Sequence, residues 1–219
     1  MLSEERILSV ATSLLEDVGA EQLTMRRIAV ELGVDPMSIY NYVDNKEALL
    51  NGLARQFLEK LDIVEPSGDL RADILAQANA FRRAAAQRPR TVTLLMTREL
   101  GSIAGLSTQD AALGVLRDAG LSAEQAVRGF RTIFAFLVGT VLREASVGPT
   151  FSGQNLGGLH NRRAELKAAG LPHTAEAVDE LAVCDHNAEF DFGMGLIIRG
   201  LEDLVRENHS RPAKDRRPS

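Results

Sequence analysis

An all-α protein is predicted by three features of the 219-residue chain. Apolar residues recur at helical spacing through almost every segment. Segment starts carry Ser, Thr, Asp or Asn, and several ends carry Gly, the residues that cap and stop helices. A hydrophobic share of 45% is ordinary for a chain that buries a core. The expected organisation is a three-helix unit over residues 1–46, a larger helical domain over 47–208 and a disordered tail over 209–219.

The first helix spans residues 3–18. Ser3 caps it, Glu4 and Glu5 complement its dipole, and Ile7, Val10, Ala11, Leu14 and Val18 form the inward stripe up to Gly19. The stretch from Thr24 to Lys46, TMRRIAVELGVDPMSIYNYVDNK, organises the rest. Thr24 caps a helix whose Ile28, Ala29 and Leu32 lie on one face, and Gly33 supplies the left-handed residue that ends it. Asp35 caps a second helix, roughly Pro36 to Val43, with Pro36 at its first position. Ile39, Tyr40 and Val43 are expected inward, leaving Met37, Ser38, Asn41 and Tyr42 outward. Helix, glycine turn and short helix with a polar outer face is the helix-turn-helix arrangement of DNA readers, although an αα-hairpin that only packs carries the same stripes. A fourth helix starts near Asn45 and runs through Leu49, Leu50, Leu53, Phe57 and Leu61.

The pattern L-T-M-R-R-I-A-x-E-L-G-V-D-x-x-S-I-Y-x-Y-V-x-N-K-E-A-L-L over about the first fifty residues resembles the signature of TetR-family transcriptional repressors. That resemblance implies a dimeric, all-helical protein: a helix-turn-helix DNA-binding domain, then a ligand-binding and dimerisation domain whose small-molecule inducer releases the operator. It also implies that Arg26, Ser38, Asn41 and Tyr42 reach base edges or phosphates, with Met37 on a thymine methyl and Thr24 and Lys46 on phosphates. Charge argues the other way. The net charge is −5, and residues 1–47 hold four basic against nine acidic side chains, where a general nucleic-acid binder needs local positive charge. Most of those acids fall on the first helix and on helix starts, away from Arg26, Tyr42 and Lys46.

Beyond the break at Pro66, Ser67 and Gly68, an Ala-rich helix over 69–87 carries Ile74, Ala78 and Phe81. Pro89 opens the next, with Val92, Leu95, Met96 and Leu100. Ser107 is expected to cap a helix ending at Gly120, and Ser122 with Gln125 to form a capping box for the most apolar helix, about Ala123 to Ser146. Residues 148–173 are glycine-rich and read as a mobile connection with a helical turn or more between His160 and Ala169. Thr174 is expected to cap a short helix ending near Cys184. The last helix, about Asn187 to Glu207, carries Phe190, Met194, Ile197, Ile198, Leu201 and Leu204, with Gly193 and Gly200 permitting close approach.

The segment LRDAGLSAEQAVRGFRTIFAFLVGTVLREA resembles the ligand-binding domain of the tetracycline repressor subgroup. Where that subgroup carries the glutamate and histidine of its metal–drug site, this chain has Arg143 and Asp62, and no histidine lies near 96–102. The departures imply no magnesium–tetracycline chelate. No metal or cofactor is expected: the four histidines fit no compact metal spacing, and Cys184 reads as a small core residue. The chain has no nucleophile elbow, phosphate loop or paired carboxylates, so no enzymatic activity is expected. A single cysteine, no visible signal peptide and no unbroken apolar run of membrane-spanning length fit a soluble cytoplasmic protein without a membrane partner. Phe81, Met96, Leu100, Phe130 and Phe134 are the candidate lining of an apolar ligand site, although the same side chains would also serve as core. Arg98, Arg131 or Arg143 is expected at its polar end, and the 148–173 segment at its entrance. The expected partners are a palindromic operator, a second copy of the chain and the small-molecule inducer.

Overall fold

The computed structural model describes residues 2–62, 64–97, 103–146 and 156–210, without the side chains of 96–97, 103–105, 146 and 156. Among the described residues all regular structure is helical. The N-terminal helices are α1 (Glu4–Gln22), α2 (Met25–Leu32) and α3 (Pro36–Ile39), followed by α4 (Lys46–Glu59). The larger part holds α5 (Leu70–Ala86), α6 (Pro89–Thr97), α7 (Ile103–Asp118), α8 (Ala123–Ser146), α9 (Leu156–Ala168), α10 (Pro172–Glu176), α11 (Val178–Leu181) and α12 (His186–Ser210).

The first four helix starts obey the cap chemistry of the sequence. Ser3, Thr24 and Asn45 accept from the backbone N–H three residues on, and Asp35 accepts from Met37 N–H. Gly33, at φ +67°, stops α2, while its N–H bonds Val30 O and Val34 N–H bonds Ala29 O. These are the paired bonds of a Schellman stop. Gly19 also breaks helical geometry as expected (φ +80°), but a further turn carries α1 to Gln22. The buried face of α1 is Ile7, Leu8, Ala11, Thr12 and Leu15, one position round from the expected stripe; Val10, Leu14 and Val18 are only half-buried. α3 is shorter than expected, and Tyr40, past its end, is exposed rather than inward. With a single helical turn, the 3.6 period no longer dictates where residue 40 points.

One contiguous core runs from α1 to α12. α6 is its keystone, packed against α1, α4, α5 and α8, while α8 also packs on α7 and α12. Ser122 and Gln125 form the expected reciprocal capping box (Ser122 N–H to Gln125 Oε1 2.9 Å, Gln125 N–H to Ser122 Oγ 3.2 Å). Four further boundaries differ from expectation. Ser107 lies inside α7 rather than at its start, and Thr174 lies inside α10, whose start has no side-chain cap. Residues 156–168 form α9, held to α10 and α11 by Arg163, which donates to Ala175 O and pairs with Asp179. Those long-range bonds are invisible to a composition count that weighs glycines. α12 extends through His209 and Ser210, taking them from the expected tail; 211–219 lie outside the described residues.

Candidate functional site

The α2–α3 unit presents its polar side chains outward because its apolar ones have nowhere else to go. Leu23, Ile28, Ala29 and Ile39 are fully buried in the core, where α2 packs on both α1 and α3, and Val43 is nearly so. Thr24, Arg26, Asn41 and Tyr42 are exposed, Ser38 is half-buried, and Met37 stands 71% exposed, an apolar side chain with no core role. Six of the seven expected contact residues thus lie open to solvent in whole or part around α2 and α3. Lys46 differs. Its ammonium donates to Ala20 O (2.7 Å) and Glu21 O (3.5 Å), tying the start of α4 to the end of α1. Two of its three N–H groups are therefore directed at carbonyls rather than at a phosphate.

The acidic count of this unit is partly consumed internally. Glu4 pairs with Arg55 at 2.7 Å. Glu16 caps the start of α6: its Oε1 accepts from Thr91 N–H (2.7 Å) and Thr91 Oγ (2.6 Å), its Oε2 from Arg90 N–H (3.0 Å). Arg90 donates back to Glu16 O at 2.7 Å. A carboxylate on orphan helix N–H groups matches both charge and geometry.

Behind this seam lies an apolar cavity of about 270 Å³ between α4, α5, α7 and α8. Phe81, Phe130 and Phe134 line it, as expected. The rings form a connected run: Phe57 meets Phe81 edge-on at 5.9 Å, Phe81 meets Phe134 edge-on at 6.0 Å, and Phe134 stacks on Phe130 at 6.0 Å. Of the other expected lining residues, Leu100 lies outside the described residues, as does the side chain of Met96. The arginines do not supply the polar end. Arg131 is exposed, Arg143 pairs with Glu189 outside this cavity, and Arg98 is outside the described residues. The polar side chains in the wall are instead Asp62, Gln77, Thr108 and Gln109. Gln77 was detectable in principle: it sits three residues after Ile74 and four before Phe81, on the apolar stripe of α5.

Two family models match the chain: "Bacterial regulatory proteins, tetR family" over residues 7–53 and "Tetracyclin repressor-like, C-terminal domain" over 64–205. The chain belongs to the TetR family. It is 32% identical to the class A tetracycline repressor protein from transposon 1721 of Escherichia coli, covering 97% of each chain. It is 33% identical to the class C tetracycline repressor of Escherichia coli, over 93% of this chain and 92% of that one. Among solved structures it resembles ActR of Streptomyces coelicolor in its apo form (TM-score 0.79, 23% identity, 94% and 97% covered). The same fold is seen in ActR bound to actinorhodin (TM-score 0.79, 24% identity, 94% and 99% covered).

As a TetR-family chain it carries a helix-turn-helix DNA-binding unit followed by a helical regulatory domain, and it is a transcriptional regulator. The two positions that depart from the tetracycline subgroup go to different places: Asp62 faces the cavity, whereas Arg143 faces the start of α12. There Arg143 meets a group that sequence spacing did not suggest, Cys184, His186 and Glu189, whose donor atoms all lie within 4.8 Å of one another. Spacing among the four histidines carries no sign of this group, because the neighbours of His186 are a cysteine and a glutamate.

Proposed function

We propose that the protein is a homodimeric, cytoplasmic repressor that leaves a palindromic operator when an apolar or amphipathic small molecule fills the cavity. The observation that carries this reading is the position of α4. Leu58, Leu61 and Asp62, at and just beyond its C-terminal end, belong to the cavity wall, while Lys46 at its first residue is bonded to α1 of the reading head. A 14-residue helix is a rod of about 21 Å, so displacement at one end moves the other. Glu16 on the start of α6 gives a second link between head and regulatory domain. A ligand that favours one spacing of the heads over another thereby shifts the DNA-binding equilibrium.

Dimerisation is supported by α8 and α12. By length and composition alone Ala123–Ala145 is apolar enough to cross a membrane, yet only 28% of an apolar 18-residue stretch within it is buried in the chain, and Phe192 and Leu196 of α12 are exposed. A second copy packing α8 and α12 against their symmetry mates would cover these surfaces and set the two heads about 34 Å apart, one turn of DNA. Arg26, Met37, Ser38, Asn41 and Tyr42 are the proposed base and phosphate contacts, with Thr24 on a phosphate. Lys46 orients the head and has one N–H left for a phosphate.

A gel shift against the DNA upstream of the protein's own gene, followed by a thermal-shift screen of apolar compounds, tests this. Arg26→Ala should cost about 1–3 kcal/mol of operator affinity and relax one base position. A compound that stabilises the protein should release it from DNA. Intact DNA binding by Arg26→Ala together with Asn41→Ala would overturn the assignment of the reading face. Stabilising compounds that leave DNA binding untouched would overturn the coupling.

A further inference from the structure

We propose that Cys184, His186 and Glu189 form a binding site for a thiophilic divalent metal ion of the zinc type, at the junction of α8, α11 and α12. The three offer a thiol, an imidazole and a carboxylate, the donor types of four-coordinate zinc. Their spacing suits it. In a tetrahedron with zinc–sulfur near 2.3 Å and zinc–nitrogen near 2.0–2.1 Å, sulfur and nitrogen lie about 3.5 Å apart. Cys184 Sγ lies 3.5 Å from His186 Nδ1 and 3.9 Å from Glu189 Oε1, and all three donors lie within 4.8 Å of one another, so the thiol–imidazole edge already has tetrahedral length and the Glu189 carboxylate must swing inward to complete the set.

The surrounding chain holds this arrangement. Asp185, between the first two donors, is turned away to cap α12, its Oδ1 accepting from Asn187 and Ala188 N–H at 3.0 Å each. His186 and Glu189 stand three residues apart on α12 and so share a face. Glu189 Oε2 is paired with Arg143 of α8, which leaves Oε1 turned toward the thiol. The same guanidinium lies 3.6 Å from Cys184 Sγ, a contact the ion would replace, while its pair with the outer oxygen is the kind of partner that orients a metal-binding carboxylate. A cleft of about 270 Å³, lined by Phe136, Gly139, Thr140, Arg143, His186 and Glu189, adjoins the trio and has ample room for a water as fourth ligand. Thiolate and imidazole together select zinc-like ions over magnesium or calcium, which favour oxygen. As the sulfur–metal bond forms, the thiol proton passes to solvent, with no change in oxidation state. Occupancy would fasten the 182–185 turn to α12 and, through Arg143, to α8.

The test is a cobalt(II) titration of the untagged, reduced, full-length protein, followed by zinc(II). The expected result is the near-ultraviolet thiolate-to-cobalt band with the strong visible bands of four-coordinate cobalt, abolished by one equivalent of zinc. Cys184→Ser should lose the thiolate band while melting as wild type does without metal, since Cys184 is only half-buried. His186→Ala and Glu189→Gln should each weaken cobalt binding at least about ten-fold. If Cys184→Ser does not fold, loss of affinity in the other two variants decides. Cobalt that binds without a thiolate band, or a band that survives Cys184→Ser, overturns the site. None of these readouts involves DNA, so the site stands or falls apart from the repressor reading.

Discussion

The reading head and the cavity domain are both built from amphipathic helices, yet they hold their functional residues in opposite ways. In the head those residues point outward from a tight core, in which Leu23, Ile28 and Ile39 are wholly buried. In the cavity domain they point inward, around space, and Phe130, Ile133 and Phe134 are only half-buried. Atoms facing a void forgo dispersion contacts that a close-packed neighbour would supply. The head therefore behaves as a rigid tool, while the regulatory domain retains a deficit that a ligand can make good. The α1–α6 seam at Glu16 and the α4 rod lie where the two regimes meet.

The largest expected effect tests that contrast directly. Ile39→Ala should lower stability by about 2–5 kcal/mol, because the side chain is fully enclosed, and should abolish operator binding by loosening α3. Phe134→Ala, despite removing more atoms, should fall at or below the low end of the usual range of about 3–5 kcal/mol and leave operator binding intact. Urea unfolding of both variants measures this. Equal costs per buried atom would mean that the cavity wall is as closely packed as the head.

The same contrast decided what could be read in advance. Head features that depend on neighbours a few residues away were legible: the caps at Ser3, Thr24 and Asp35, the helix start near Asn45, the Gly33 stop, and the outward set of Arg26, Met37, Asn41 and Tyr42. Features that depend on a partner far along the chain were not. The bonds of Lys46 to Ala20 and Glu21 cross some twenty-five residues, those of Glu16 to Thr91 seventy-five, and the Arg143–Glu189 pair joins two helices. Aromatic residues on an apolar stripe mark an interior, which makes Phe81, Phe130 and Phe134 legible; Gln77, Thr108 and Gln109 are uncharged and carry no comparable signal. In the 148–173 segment a helical turn or more between His160 and Ala169 was legible, but not a helix that starts at Leu156 and is held by Arg163.

Glycines offer the next test, because the two regions use them for different reasons. A Cβ at Gly193 would lie 2.4 Å from the Phe136 ring, so Gly193→Ala should cost about 1–3 kcal/mol by overpacking α8 against α12. Gly33 faces open space, but its φ of +67° penalises any side chain, so Gly33→Ala should cost about 1–2 kcal/mol. Adding Phe136→Leu should rescue Gly193→Ala, and no second-site change of volume should rescue Gly33→Ala. Thermal melts of the double variants check both halves.

A smaller effect is expected at the caps. Thr24→Ala and Ser122→Ala each remove one helix-start acceptor and should each cost about 1 kcal/mol. The regions part in consequence: Thr24→Ala should also weaken operator binding, through the orientation of α2 and through the proposed phosphate contact of Thr24 itself, whereas loss of the Ser122 cap should not. Matched denaturation and gel-shift series would show whether cap losses in the two regions are equal in stability and unequal in function.

The smallest effect concerns the joint between the two regions and appears as a dependence on pH. Asp73, buried near the start of α5, holds the Pro66–Gly68 turn that follows α4: Ser67 Oγ and Ser67 N–H donate to its Oδ1 at 2.6 and 2.7 Å, and Gly68 N–H donates to its Oδ2 at 3.0 Å. The Ser67 hydroxyl bond, then the Ser67 amide, hold the carboxyl below its ordinary 3.8, against the opposing effect of burial and with help from Gly68. Because the folded value is depressed, the unfolded chain binds the proton more readily, and stability rises with pH across the interval between the two values. The contribution is complete above about pH 4–5 and fades as pH falls through 3.8 toward the folded value. Asp73→Asn keeps the shape but removes the charge and places an amide where Gly68 N–H needs an acceptor. The wild type's advantage over this variant in urea should be steady from pH 8 to 6 and should shrink below pH 4, with the titration of other carboxylates cancelling in the difference. An advantage that stays constant down to pH 3 would mean that the turn is secured by packing alone, and that the joint between rigid head and yielding cavity owes nothing to this carboxylate.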